Sequence, residues 1–196
     1  MAEGQQPDPS LPKKHRLQNR WCLWYFKNDK SKDWKDNLKL VISFDTVEDF
    51  WAVYNHIVPP SGIATGCDYM LFKDGIQPMW EDDKNKHGGR WLVNIDKKGP
   101  RPTIIDQYWI ETLMCLIGEA FGDSSDEVCG AVVNIRPKGN KIAIWTGDVK
   151  KRDNILHIGK EYKERLGLPP GYLISYQSHT DTMIKTGSSS KSTFTV

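Results

Sequence analysis

Along this chain apolar residues recur at every second position in pairs of short segments, and at every third or fourth position in the stretches between those pairs. That rhythm dictates strand, strand, helix, repeated. In the first pair, Trp21, Leu23 and Tyr25 alternate with Cys22, Trp24 and Phe26, and then Leu38, Leu40, Ile42 and Phe44 alternate with Lys39, Val41 and Ser43. Further strands are expected at 69–73, 90–96, 128–136, 141–146, 172–177 and 193–196, which makes eight. A first helix opens at Thr46, with Asp49 three residues on. It places Phe50, Val53, Tyr54 and Ile57 on one face and stops at Pro59 and Pro60. A second is expected over 103–121. The third carries Ile155, Ile158, Tyr162 and Leu166 and is closed by Gly167 and Pro169. Hairpins separated by helices predict an α+β fold: an eight-stranded antiparallel sheet with three helices packed on one face and the other face free.

A chain of 196 residues with 38% apolar and 27% charged residues reads as one domain with one core. Residues 1–14 are Pro, Gln, Asp and Ser rich, so a disordered arm is expected before a domain at 15–196. Lys plus Arg 27 against Asp plus Glu 25 leaves 27 − 25 = +2, too little for wrapping along a duplex, so any basic site must be local. No apolar run approaches the ~18 residues of a membrane span, and no leader is read at the start, so a cytoplasmic location, or also a nuclear one, is expected. Cys22, Cys67, Cys115 and Cys129 form no C-x-x-C pair and read as buried reduced thiols; no metal site or cofactor is expected.

No phosphate-cradling loop, nucleophile elbow or metalloprotease motif occurs, and nothing nominates a nucleophile, so catalysis is not expected. Eight Trp are more than a core of this size needs. Trp34 lies in the hydrophilic connection 27–37, and Trp80 lies in the connection Pro78-Met79-Trp80-Glu81. Each either folds back over the core edge or stands apart, and two rings held apart can stack on both faces of a nucleobase. Glu81 is either one acid of the run Glu81-Asp82-Asp83 or a carboxylate matched to the N1–H and N2–H₂ edge of guanine.

A four-residue turn in Arg136-Pro137-Lys138-Gly139-Asn140-Lys141 would set Arg136 opposite Lys141, a like-charge pair that an anion relieves or that splays into water. Alternation puts Lys141, Ala143 and Trp145 on one strand face and Ile142 and Ile144 on the other. On the helices, Val47 and Trp51 sit beside the first apolar stripe, and Ile110, Met114 and Gly118 sit beside the second. This is either a broad buried face or a groove, rimmed by Glu111, for an amphipathic peptide helix.

Several strings together resemble one family. They are Gln18-Asn19-Arg20-Trp21, Phe44 to Trp51, Asp74-Gly75-Ile76 with Pro78-Met79-Trp80-Glu81, Lys141 to Trp145, and Tyr162 to Pro170. From His15 onward the chain is similar to eukaryotic translation initiation factor 4E, which binds the messenger RNA cap. The resemblance implies a curved eight-stranded antiparallel sheet with three helices on its convex face and the cap on the concave face. Trp34 and Trp80 would sandwich 7-methylguanine, with Glu81 bonding N1 and N2 and the Trp80 backbone N–H bonding O6. Arg136 and Lys141 would hold the phosphates, Arg90 and Lys138 would assist, and Trp145 would touch the methyl group. His15, Val47, Trp51, Ile110, Glu111 and Met114 would form the site for the scaffold subunit and for repressor proteins.

Arg16 stands where the family commonly has Pro, and Ile110 and Met114 where it commonly has Leu, which bears on peptide affinity. Ser188 matches the family's phosphorylation position. The expected activity is non-enzymatic cap binding by a monomer that recruits the scaffold; the alternatives are a cap-binding repressor that does not recruit it, and hydrolysis of the cap.

Overall fold

The computed structural model describes residues 13–96, 103–184 and 192–196. Residues 1–12 of the expected arm and Ser188 lie outside the described residues, while Lys14 is tied to Asp49 by a 2.6 Å ion pair. The period-two segments become β1 (Arg16–Phe26), β2 (Leu38–Thr46), β3 (Asp68–Lys73), β4 (Gly89–Ile95), β5 (Val128–Asn134), β6 (Asn140–Thr146), β7 (Ser175–Ser178) and β8 (Phe194–Thr195). They pair into one curved sheet in the order β2-β1-β3-β5-β6-β4-β7-β8, and every neighbouring pair is antiparallel.

The three segments of helical period become α2 (Val47–Tyr54), α3 (Ile104–Ile117) and α4 (Arg152–Arg165). Thr46 caps α2, its hydroxyl accepting from the Asp49 N–H at 3.2 Å and donating to the Asp49 carboxylate at 2.7 Å. Helix α4 closes as its sequence demands: Gly167 takes a φ of +62°, its N–H bonds the Glu164 carbonyl, and Leu168 N–H bonds that of Lys163. Two short helices carry too few turns to show a period and were not expected, α1 (Trp34–Asn37) and α5 (His179–Ile184). Tyr172, expected in a strand, lies in the loop before β7.

Alternation sorts the sheet into two faces. Trp21, Leu23, Leu71, Trp91, Val93, Ile142 and Ile144 meet Trp109, Leu113, Ile155, Ile158 and Tyr162 from the helices in the main core. The contact with α4 is close. A Cβ on Gly159 would stand 2.4 Å from the Trp91 ring, and the Trp91 indole N–H reaches the Ile155 carbonyl at 2.9 Å. On the opposite face, which the alternation leaves free of the three helices, Phe26, Leu38, Met70, Phe72, Leu92, Val132, Ala143 and Trp145 form a second, smaller apolar cluster.

Edge strand β2 carries an irregularity: Trp24 pairs with Leu40 and Leu23 with Ile42, leaving Val41 over. Such a bulge spoils the flat hydrogen-bonding edge that another chain would extend. The four cysteines are free and buried, and burial pushes the Cys115 and Cys129 thiols up to about 12, so they stay protonated and unreactive.

Candidate functional site

The second apolar cluster is the floor of a cavity of about 760 Å³. Trp34 and Trp80 line it from two loops, with Glu81, Arg90, Arg136 and Trp145. Both indoles are partly exposed, at 44% and 36%, so neither ring is folded away into the core. Trp34 leans on Phe26, ring centroids 5.8 Å apart.

Each loop is held by a buried asparagine. Asn37 donates to the Asp29 carbonyl at 2.8 Å and accepts from the Asp29 N–H at 3.3 Å, closing the loop that presents Trp34. Asn85, fully buried, donates to the carbonyls of Gln77 and Met79, both at 2.8 Å, and Asp82 accepts from the Gln77 N–H at 2.9 Å. These bonds set the turn that carries Trp80 and Glu81. The Glu81 carboxylate is exposed and has no partner among the described residues.

The cationic side differs from expectation in its pairing. Lys141 stands opposite Asn134 in the ladder, and Arg136 lies beyond the end of β5, so the two cations are not cross-strand neighbours. Arg136 instead makes a two-point ion pair with buried Asp68, one contact at 2.9 Å, and this carboxylate raises the guanidinium pKa and fixes its orientation. Its positive charge is therefore partly compensated before any ligand arrives. Lys138 and Lys141 are exposed and line an adjoining basin that shares Arg90, Asn134 and Arg136 with the cavity.

Trp145 shares its strand face with Lys141 and Ala143, as alternation requires, but it is nearly buried and packs edge-on against Phe72 at 5.5 Å. Arg90 sits opposite Trp145 in the β4–β6 ladder and bonds Gln177 at 3.3 Å. Burial shifts its pKa down, yet a guanidinium remains charged at any working pH. Behind Trp145 lies His179, 1% exposed, its ring centroid 4.2 Å away. Burial first, and then the Arg90 charge, push this histidine down to about 3, so it is neutral.

On the helical side, Val47, Trp51 and Met114 are exposed, with Trp51 at 38%, while Ile110 and Glu111 are half-buried. Trp51 meets Phe50 and Tyr54 edge-on at 5.0 and 6.0 Å, so its ring is propped while one side faces solvent. His15 is fastened to the start of α2: its carbonyl accepts the Val47 N–H, and its Nδ1 lies 2.7 Å from Glu48. Arg16 is drawn to Asp45.

Residues 16–194 match the family described as Eukaryotic initiation factor 4E. Eukaryotic translation initiation factor 4E-1A of Danio rerio is 63% identical over 183 residues, which cover 93% of this chain and 85% of that protein. The chain belongs to the eukaryotic initiation factor 4E family. An initiation factor 4E-3 of Ascaris suum, solved in complex with the m2,2,7G cap, superposes with a TM-score of 0.88 at 51% identity, covering 94% of this chain and 99% of that one. The C. elegans eIF4E-3 in complex with the 4E-binding protein Mextli and a cap analog superposes at 0.86 with 46% identity, covering 94% and 100%.

Within this initiation factor 4E fold, the residues that sequence reasoning missed are the supports: Asp68, Asn37, Asn85 and His179. Asp68 left a trace, since a lone acid opening the strand Asp68-Tyr-Met-Leu-Phe cannot be buried without a cation. The two asparagines read as ordinary loop residues, and His179 carries no period.

Proposed function

We propose that this chain binds the 7-methylguanosine cap of messenger RNA in the cavity between the Trp34 and Trp80 loops and acts without catalysis in translation initiation. One observation carries the reading: two partly exposed indoles and an unpaired carboxylate share a cavity that opens onto a basic hairpin. Methylation at N7 makes guanine a cation, so indole faces gain cation–π attraction of about 2 kcal/mol or more once water is excluded. It also acidifies N1–H, strengthening the bond to the Glu81 carboxylate, with N2 alongside and the Trp80 N–H on O6. Trp145 closes the methyl side, Arg136 and Lys141 hold the phosphates, and Arg90 and Lys138 support them. Together the charge-dependent terms give about 2–4 kcal/mol, or roughly 30- to 1000-fold preference over unmethylated guanine.

The helical side then serves recruitment. His15, Val47, Trp51, Ile110, Glu111 and Met114 form the docking face for the scaffold subunit and for repressors that compete with it. Exposed Trp51 and Val47 favour this over a repressor that holds the cap without recruiting anything. Work on messenger RNA places the factor in the cytoplasm; a nuclear pool is a matter for imaging. Phosphate on Ser188 would set negative charge near incoming RNA.

The test is a tryptophan-fluorescence titration with 7-methyl-GTP and GTP. We expect quenching at least 30-fold more sensitive to the methylated ligand and its near loss in Trp34→Ala or Trp80→Ala. Equal affinity for both nucleotides would remove the charge argument and the cap reading with it. Cap analogue recovered intact after long incubation is the outcome expected of a binder; release of 7-methylguanosine products would make it a hydrolase.

A further inference from the structure

Past Arg90, Asn134 and Arg136 the proposed cap cavity continues into a second basin of about 1050 Å³. Its two walls differ in chemistry. The β5–β6 hairpin supplies Lys138 and Lys141, exposed and without an ion-pair partner among the described residues. The end of β4 and the loop before β7 supply an amide, Asn94, and an aromatic ring, Tyr172; Asp96, engaged with a partner of its own, stands at the same end.

Ladder register places Asn94 directly opposite Lys141, so the exposed amide and the ammonium project from one face of the sheet. Tyr172 is held in place by its hydroxyl, which donates to the Asn94 carbonyl oxygen. A ring so pinned offers a surface without further ordering, and bases stack on such rings with little regard to sequence. The polarity across the basin is that of a ribonucleotide lying crosswise, phosphate toward the lysines and base toward the ring.

We propose that this basin seats the first transcribed nucleotide of a capped RNA, with Lys138 and Lys141 following the phosphates that leave the cap, Tyr172 under the base and Asn94 at its edge. The inference rests on the cap reading above, because continuity with that cavity is what selects RNA as the occupant. An acidic peptide would find the lysines but no use for a ring and amide placed beyond them.

The experiment compares 7-methyl-GTP with a capped RNA tetranucleotide by calorimetry on the full chain, for the wild type and for Tyr172→Leu, which keeps apolar bulk and loses the π-face. We expect Tyr172→Leu to weaken the capped tetranucleotide about five- to tenfold while leaving 7-methyl-GTP affinity unchanged. Tyr172→Phe, which keeps the π-face and loses only the hydroxyl bond to Asn94, should recover part of the RNA affinity, and Asn94→Ala should lose a smaller part of it than Tyr172→Leu does. Tyr172→Leu weakening both ligands equally, or neither, would overturn the proposal. Absence of 7-methyl-GTP binding by the wild type would instead bring down the cap reading, a distinguishable failure.

Discussion

A neutral histidine behind the cavity wall has a cost that appears only in acid. Folded His179 resists protonation down to about 3, whereas an unfolded chain takes up the proton near pH 6.5. Between those values the unfolded state binds more protons, so stability rises with pH through the window. The contribution is complete above about 6.5 and is lost progressively toward 3. Carboxylates held below their usual range, Glu48 by His15 and Asp49 by Lys14, lose stability in the same direction only at lower pH. Urea midpoints should therefore fall from pH 7 to pH 5, and His179→Gln should flatten that fall while lowering the midpoint at pH 7 through lost packing against Trp145. An unchanged slope in the variant would assign the acid sensitivity elsewhere. Neutrality also suits the proposed ligand, because an imidazolium behind Trp145 would repel a cationic base.

Loops normally surrender fixed geometry, yet both Trp-bearing loops keep it by bringing one amide side chain indoors to bond their own backbone. Asn85→Ala would strip donors from the Gln77 and Met79 carbonyls, and leaving buried acceptors unsatisfied costs about 1–3 kcal/mol. Because those carbonyls belong to the turn that presents Trp80, cap-analogue affinity should drop with stability, and a thermal melt beside the fluorescence titration reads both. Full affinity in Asn85→Ala would mean that Trp80 is placed by something else. Helix α4 makes a second case: Gly159→Ala drives a methyl into Trp91, and overpacking of this kind costs about 1–3 kcal/mol, visible as a lower urea midpoint with ligand affinity intact. These supports also mark where sequence reading stops. Strands and long helices announce themselves because burial imposes a period on neighbouring residues. The Arg136–Asp68 pair joins positions 68 apart, and no local pattern encodes it. Helix α1 is a single turn, too short to show a period at all, so Trp34 reads as a loop residue and its lean against Phe26 stays invisible.

Across the whole molecule one sheet separates two jobs. Strands β1, β3, β4, β5 and β6 put alternate residues into the helix-packed core and into the cavity floor, which is why the period-two pattern revealed both faces while each face alone looked incomplete. What the pattern could not supply was the content of the second face: it reads as free, and it is an apolar floor roofed by two tryptophan loops. The separation makes a sharp expectation for Trp51. It lies on α2, in the helical layer, and is absent from the residues lining either basin. At 38% exposure its truncation removes surface that a peptide helix would cover, and an exposed aromatic anchor of this sort contributes about 2 kcal/mol or more to docking. Trp51→Ala should therefore weaken a scaffold-type peptide at least 30-fold in a pull-down or anisotropy assay. In the same preparation, 7-methyl-GTP should still quench Trp34 and Trp80 with wild-type affinity. Loss of both activities together would mean that the sheet couples its two faces, and that the helical layer supports the cavity instead of standing apart from it.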